Sequence, residues 1–299
     1  MRFYKYHGAG NDFLVADGRA GHIELSEELI ASLCDRHTGF GADGVMVLEN
    51  SDKYDFRMRY YNSDGSGGMM CGNGGRCIVA FAADLGFSSF SFEAPDGPHI
   101  AELAGPVSGP FSCKPRIVRL KMKDVEGAVP YHRSDAGTDS CPAGPDDWFL
   151  DTGTRHLVRF VEDIESQDVV GEGRMLRHDS RFAPVGVNVN FVEVNASGGP
   201  DGSPADITVR TYEKGVEDET LACGTGIVAS ALATWIAARA GSCSEGEMPA
   251  GLLCNVRARI AALDVSFRPS LSPAGDFTAD NVWLTGPAAF IGTVDFILR

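Results

Sequence analysis

The strongest constraint on this chain is a near-repeat separated by half its length. Cys71-Gly72-Asn73-Gly74 returns as Cys223-Gly224-Thr225-Gly226, 152 residues later in a chain of 299. The upstream sequence returns too: Arg59-Tyr60-Tyr61 precedes the first copy as Arg210-Thr211-Tyr212 precedes the second. A weaker echo joins Gly10-Asn11-Asp12-Phe13-Leu14-Val15 to Gly153-Thr154-Arg155-His156-Leu157-Val158. Self-similarity at a fixed offset marks a repeated structural unit, and two copies mean paired domains rather than a solenoid. The length suffices for two cores, since ordinary domains take about 100–200 residues each.

Within each half the texture is mostly strand. Phe56–Tyr61, Ile117–Met122, Asn190–Val194 and Ile207–Tyr212 alternate apolar and polar residues, the pattern of half-buried strands. Turn-forming clusters such as Asn195–Gly202 separate them. Each Cys-Gly-x-Gly leads into a helical pattern. Ile78, Phe81, Ala82 and Leu85 form a stripe at i, i+3, i+4 and i+7, with Gly86 as a stop. The second run, Ile227–Ala238, is apolar nearly all round and predicts a helix enclosed by sheet. Val125–Asp147, rich in Gly, Pro, Ser and Asp, predicts the longest loop or linker, with Cys141 incidental. The expected fold class is therefore α+β: two pseudo-symmetric domains, each a mixed, curved β-sheet or barrel around a central helix, with the active site in the cleft between them. The expected boundaries are residues 1–120 with 284–299 for the domain carrying Cys71, and 121–283 for the one carrying Cys223.

Composition excludes several functions. At 43% apolar and 22% charged residues the chain is of globular type. Lys and Arg number 26 against 41 Asp and Glu, for a formal charge of −15, a field that repels phosphate backbones and anionic lipids. Neither nucleic acid nor a membrane is an expected partner. Gly224–Ala238 is uncharged, but its 15 residues fall short of the ~20 needed to span a bilayer. The N-terminal residues lack the pattern of a secretory signal, and the eight cysteines, at 34, 71, 77, 113, 141, 223, 243 and 254, contain no CxxC pair. A cytoplasmic protein with free thiols is the expectation.

A helix N-terminus carries unpaired N–H groups and about +0.5 of an elementary charge, so it binds anions and favours thiolates. Flanking glycines let a ligand approach the backbone. Two such sites facing one another supply an acid and a base on opposite sides of a bound molecule, while spare N–H groups hold its carboxylate. That equipment suits inversion of a stereocentre beside a carboxylate. Other readings stand beside it. Either cysteine alone reads as a small buried hydrophobe, but two packing cysteines need not share the same Gly-x-Gly. Gly-rich turns into helices also cradle phosphates, although GxxxxGK[ST] and strand-linked GxGxxG are both missing. Zinc fits poorly, because Cys71-x5-Cys77 has no usual ligand spacing and the second copy has no equivalent of Cys77. An amino-acid-binding protein using the same helix ends remains open.

The ordered motifs carry a specific resemblance. His7-Gly8-Ala9-Gly10-Asn11-Asp12-Phe13, Asp35-Arg36-His37, Gly41-Ala42-Asp43, Asn62-Ser63-Asp64-Gly65-Ser66, Met70–Cys77, Tyr212-Glu213-Lys214-Gly215 and Ala222–Gly226 resemble the diaminopimelate epimerase family of cofactor-independent, two-cysteine racemases. The match extends to Leu284-Thr285-Gly286-Pro287-Ala288 and so spans essentially the whole chain. The resemblance implies interconversion of LL- and meso-2,6-diaminopimelate, a step towards lysine and peptidoglycan precursors, without pyridoxal phosphate or metal. It implies a small amino-acid substrate and a homodimer. Cys71 and Cys223 would be the acid and base, while Gly72, Asn73, Gly224 and Thr225 would hold the reacting carboxylate. Asn11, Asn62, Thr154, Asn188, Glu213 and Lys214 fall at substrate-binding positions. His156 and Glu213 match residues that set the cysteines' protonation, since an imidazole or carboxylate can accept a thiol proton or hold it in place.

The chain also departs from the family pattern. Thr154-Arg155-His156 replaces Asn-Pro-His, Lys214 replaces Arg and loses its planar fork, Gly44 stands where some members have Gln, and one residue is inserted between Glu213 and Cys223. These changes leave the cysteines untouched and bear on recognition of the substrate's distal end. A racemase acting on another amino acid is therefore the competing enzyme reading.

Overall fold

Strand-forming alternation and two Cys-Gly-x-Gly helix starts shape the two compact units of the protein: Met1–Lys121 with Thr285–Arg299, and Met122–Leu284. The computed structural model describes residues 1–68, 70–105, 109–131, 147–198, 203–239, 252–272 and 276–297. Cys141, Cys243 and the last four residues of the Asn195–Gly202 cluster lie outside the described residues.

The first unit holds β1 (Arg2–Gly8), β2 (Asn11–Asp17), α1 (Glu27–Cys34), β3 (Gly44–Glu49), β4 (Phe56–Asn62), α2 (Gly72–Asp84), β5 (Phe90–Ala94), β6 (Gly97–Ala104) and β7 (Arg116–Lys121). β1 and β2 form an antiparallel hairpin, and so do β3 and β4; β2 runs parallel to β3 and β4 parallel to β5. Parallel neighbours need a crossover, and α1 and α2 supply the two. The second unit holds β8 (Val125–Glu126), β9 (Val129–Tyr131), β10 (Asp147–Asp151), β11 (Arg155–Phe160), α3 (Val169–Arg177), β12 (Asn188–Ala196), β13 (Ala205–Glu213), β14 (Asp218–Thr220), α4 (Gly224–Arg239), β15 (Leu252–Arg257) and β16 (Ala262–Leu271). It repeats the plan, with β11 parallel to β12 across α3 and β13 parallel to β15 across α4. β17 (Phe277–Asp295) starts in the second unit against β8 and ends in the first, antiparallel to β1. The sequence repeat is thus a repeat of topology.

In each unit the helix after the cysteine is central. α2 packs on β1, β2, β3 and β7, and α4 on β10 to β13, β15 and β16. α1 and α3 cover the other face of their sheets: Ile30 and Leu33 join Phe3, Leu14, Val45 and Val47, while Val169 and Leu176 join Leu157, Val189, Phe191 and Tyr212. α4 is apolar nearly all round, as expected, with Ser230 and Thr234 among its buried residues.

α2 is central as expected: all its residues except Ala83 are buried, including Arg76 and Asp84, because the sheet wraps it. Two expectations need correction. Asn190–Val194 does not alternate in burial: Asn190, Phe191 and Val192 are all buried, because α3 covers one face of β12 and α4 the other, and only Glu193 and Val194 are not. The Val125–Asp147 segment is strand at both ends, since β8 pairs with β17 and β9 with β10; residues 132–146 lie outside the described residues.

Gly86 stops α2 as expected. Its φ of +94° suits glycine, and the Gly86 and Phe87 N–H groups return to the Ala83 and Ala82 carbonyls, both at 3.1 Å. No helix of the described residues is long and apolar enough to cross a membrane.

Candidate active site

Cys71 is the N-cap of α2. Its backbone is extended (φ −99°, ψ 152°), its Sγ accepts from the Gly74 N–H at 3.2 Å, and its carbonyl accepts from the Gly75 N–H at 2.8 Å. The sulfur therefore lies at the positive end of the helix. Asn73, in the first turn, donates through Nδ2 to Asn11 Oδ1 and accepts at Oδ1 from Arg76 Nη2 at 2.6 Å. Asn11 in turn donates to Asp43 at 3.1 Å, and Arg36 holds Asp43 at 2.6 Å. The first unit thus joins Asn11, Gly72 and Asn73 around the helix start. Asn62 ends β4 opposite Gly44 and donates to Ser66 Oγ at 3.0 Å. A Cβ at Gly44 would meet the Tyr61 carbonyl at 2.5 Å, which accounts for glycine there.

Cys223 precedes α4, with its carbonyl accepting from the Ile227 N–H at 2.9 Å. Its Sγ lies 3.6 Å from Thr225 Oγ1, which lies 3.0 Å from both His156 Nε2 and Thr154 Oγ1. Thr154 Oγ1 is itself 2.9 Å from His156 Nε2. The second unit thus joins Cys223, Thr225, Thr154 and His156 in one hydroxyl-rich cluster. His156 reaches the thiol through the Thr225 hydroxyl.

Asn190 decides the tautomer of His156. Its Oδ1 accepts from Thr211 Oγ1 at 2.9 Å and its Nδ2 donates to the Leu157 carbonyl at 3.2 Å, so Nδ2 also faces His156 Nδ1, at 3.1 Å, as a donor. Nδ1 is then an acceptor, and the ring proton sits on Nε2, pointing at the two threonines. Burial pushes the His156 pKa down to about 3, so the imidazole is neutral.

The unfolded chain protonates this histidine near pH 6.5 and the folded chain does not, so stability falls as pH drops from about 6.5 towards 3. His156→Gln is expected to remove up to ~1.4 kcal/mol per pH unit from that slope. Urea midpoints at pH 7, 6 and 5 check it, and an unchanged slope contradicts it.

Asn188 lies at the start of β12, beside His156 in the parallel register. Its amide ties strand ends together, donating to the Arg155 carbonyl at 3.1 Å and accepting from the Lys214 N–H at 2.8 Å. Glu213, the last residue of β13, accepts from Thr220 Oγ1 at 2.8 Å, and Lys214 follows it.

Corresponding positions in the two units differ in chemistry. Phe13 and Met46 face Gly74 where Asn190 approaches Gly226, and Met46 stands in β3 where Asn190 stands in β12. A Cβ at Gly226 would meet Asn190 Oδ1 at 2.2 Å, whereas one at Gly74 would meet nothing closer than Cys71 Sγ at 3.4 Å. Gly226→Ala is expected to displace Asn190 and cost ~1–3 kcal/mol, with Gly74→Ala costing less. Thermal unfolding of both variants checks the order.

Asn190, Thr211 and Arg76 were not among the residues expected from sequence. Their signal is polarity at buried positions: Arg76 inside α2, Asn190 and Thr211 among the buried residues of β12 and β13. Among the described residues no group of three or more His, Cys, Asp or Glu is placed to hold a metal ion. Burial pushes the Cys34 thiol up to about 11, Cys254 to about 12 and Cys77 higher, which keeps all three protonated at neutral pH.

The family model described as diaminopimelate epimerase matches residues 3–105 and 148–257. The chain belongs to the diaminopimelate epimerase family. A relative of that name from Chlorobaculum tepidum is 37% identical across 96% of this chain and 98% of its own length. Another from Flavobacterium psychrophilum is 39% identical, covering 97% and 98%. The fold is shared more widely. A phenazine biosynthesis protein of the PhzF family from Bacillus anthracis superposes with TM-score 0.66 at 12% identity, covering 100% of this chain and 99% of that one. A hydroxyproline epimerase from Agrobacterium vitis does so with TM-score 0.58 at 15% identity, covering 98% and 90%.

Proposed function

We propose that this protein interconverts LL- and meso-2,6-diaminopimelate by two-base proton transfer, with Cys71 and Cys223 as the two bases. The observation that carries the reading is family membership combined with duplicated helix starts, each led by a cysteine. One thiolate removes the α-proton and becomes a thiol; the electron pair stays on the α-carbon, delocalised into the carboxylate. The opposite thiol then delivers its proton to the other face and becomes the thiolate. Gly72, Asn73, Gly224 and Thr225 offer N–H donors to the carboxylate as its charge grows. No redox or group-transfer step is involved, so the scheme calls for no cofactor.

In this reading residues 1–120 with 284–299 carry one base, residues 121–283 the other, and the substrate binds between them. His156 acts on Cys223 through Thr225, and Glu213 contributes to the cysteines' protonation. Asn11, Asn62, Thr154, Asn188 and Lys214 orient the substrate. We further propose a cytoplasmic homodimer. Incubation with LL-diaminopimelate, L-lysine, L-glutamate and trans-4-hydroxy-L-proline, followed by chiral chromatography, tests the substrate. Conversion of LL- to meso-diaminopimelate alone is expected, and inversion of a different amino acid in preference contradicts the assignment.

A further inference from the structure

The two duplicated cysteines must differ in protonation for a two-base reaction, and the fold contains a cause for that difference. Arg76 lies on α2, five residues after Cys71, with 0% exposure. Its Nη1 donates back to the Gly72 carbonyl at 3.2 Å, its Nη2 donates to Asn73 Oδ1 at 2.6 Å, and its Nε has no acceptor. Both acceptors are neutral. Among the described residues no carboxylate pairs with this guanidinium, although a buried cation without a counter-charge is costly.

The acids on surrounding elements are already engaged. Asp84 accepts from Arg116 and Tyr6, Asp12 pairs with Lys5 and Arg36, and Asp43 pairs with Arg36. Asp96, which accepts from the Met70 N–H, pairs with His99. The groups that act on the Arg76 charge are two thiols, Cys77 and Cys71. Cys77 is wholly buried and held neutral; Cys71 is partly exposed at the helix start.

The equivalent position in the second unit, five residues after Cys223, is Val228, also 0% exposed. There the surroundings are neutral His156 and threonine hydroxyls. The charges that act on His156 are Asp151 and Lys214, one of each sign.

We infer that Arg76 is a positioning residue that holds a standing positive charge behind Cys71, making Cys71 the resting thiolate and leaving Cys223, with Val228 in that place, the resting thiol. The guanidinium acts through the electrostatics of the helix start and through Asn73, which it orients. Only the catalytic consequence rests on the proposed epimerase reaction; the ionisation order is a property of the substrate-free chain.

The test is alkylation of substrate-free protein by iodoacetamide across pH 5–10, read separately at Cys71 and Cys223 by peptide mass. Cys71 is expected to ionise first. In Arg76→Met its rate at pH 6.5 is expected to fall ~10-fold or more, since an opposite charge close by shifts a pKa by about 1–3 units, with Cys223 unchanged. Arg76→Lys, which keeps the charge, is expected to restore most of the rate. A wild-type protein in which Cys223 ionises first overturns the inference, whether or not the variants fold. So does a folded Arg76→Met variant with an unaltered Cys71 profile. Early ionisation of Cys71 in a protein that epimerises nothing upholds the inference and removes the reaction instead.

Discussion

Replacement of either Cys71 or Cys223 by alanine is expected to lower kcat for LL-to-meso conversion at least ~1000-fold, equivalent to about 4 kcal/mol of transition-state stabilisation. Each cysteine leads the central helix of its unit, and in the proposed reaction each handles a proton on one face of the α-carbon. Removing one leaves abstraction without delivery, or delivery without abstraction. The two therefore act as a unit, and the double variant is expected to be little worse than either single one. The structural cost is small by comparison. Cys71→Ala loses a cap bond to the Gly74 N–H, worth roughly 0.5–2 kcal/mol, and Cys223→Ala loses a thiol near the Thr225 hydroxyl. Chiral chromatography of initial rates together with urea unfolding separates the two effects. Activity within tenfold of wild type in either folded variant contradicts the assignment.

Asp84→Ala is expected to have the largest effect on stability, about 3–5 kcal/mol. Asp84 occupies the C-terminal end of α2, where a carboxylate opposes the helix dipole. It is held there by Arg116, whose Nε donates at 3.0 Å, and by the Tyr6 hydroxyl. Arg116 is only 7% exposed, so removal of Asp84 leaves a buried guanidinium and a buried phenol without their acceptor. The loss acts on the helix that begins at Cys71. Urea unfolding at pH 7 measures it, and a loss below ~1 kcal/mol contradicts this account of how α2 is held.

Asp84 also shows where sequence reasoning reaches and where it stops. The starts of α2 and α4 were legible because Cys-Gly-x-Gly is a local signal, and the burial of Ile227–Ile236 because Ile227–Ala238 carries no charge. The burial of α2 on every side follows from a sheet around a central helix but not from its local pattern, in which Arg76 and Asp84 look like solvent-facing residues. Asp84 is buried by virtue of Arg116, 32 residues further on, a pairing that local pattern cannot show. Arg76 is buried against neutral acceptors in its own first turn.

The candidate site divides the same way. Cys71 and Cys223 were legible from duplication, whereas His156 was legible only through resemblance, since a lone histidine in an apolar strand is more often structural. Asn190 and Thr211, which settle the His156 tautomer, were read as the polar side of half-buried strands. Burial of β12 by α3 on one face and α4 on the other turns Asn190 inward.

The most direct test of the central claim is initial-rate conversion of LL-diaminopimelate in deuterated water, with mass analysis of both product and recovered substrate. Two bases predict meso product carrying one deuterium at the inverted carbon from the first turnovers, while unreacted LL substrate keeps its hydrogen. Product that retains the substrate's own α-hydrogen, or exchange into LL-diaminopimelate without any meso formation, contradicts it.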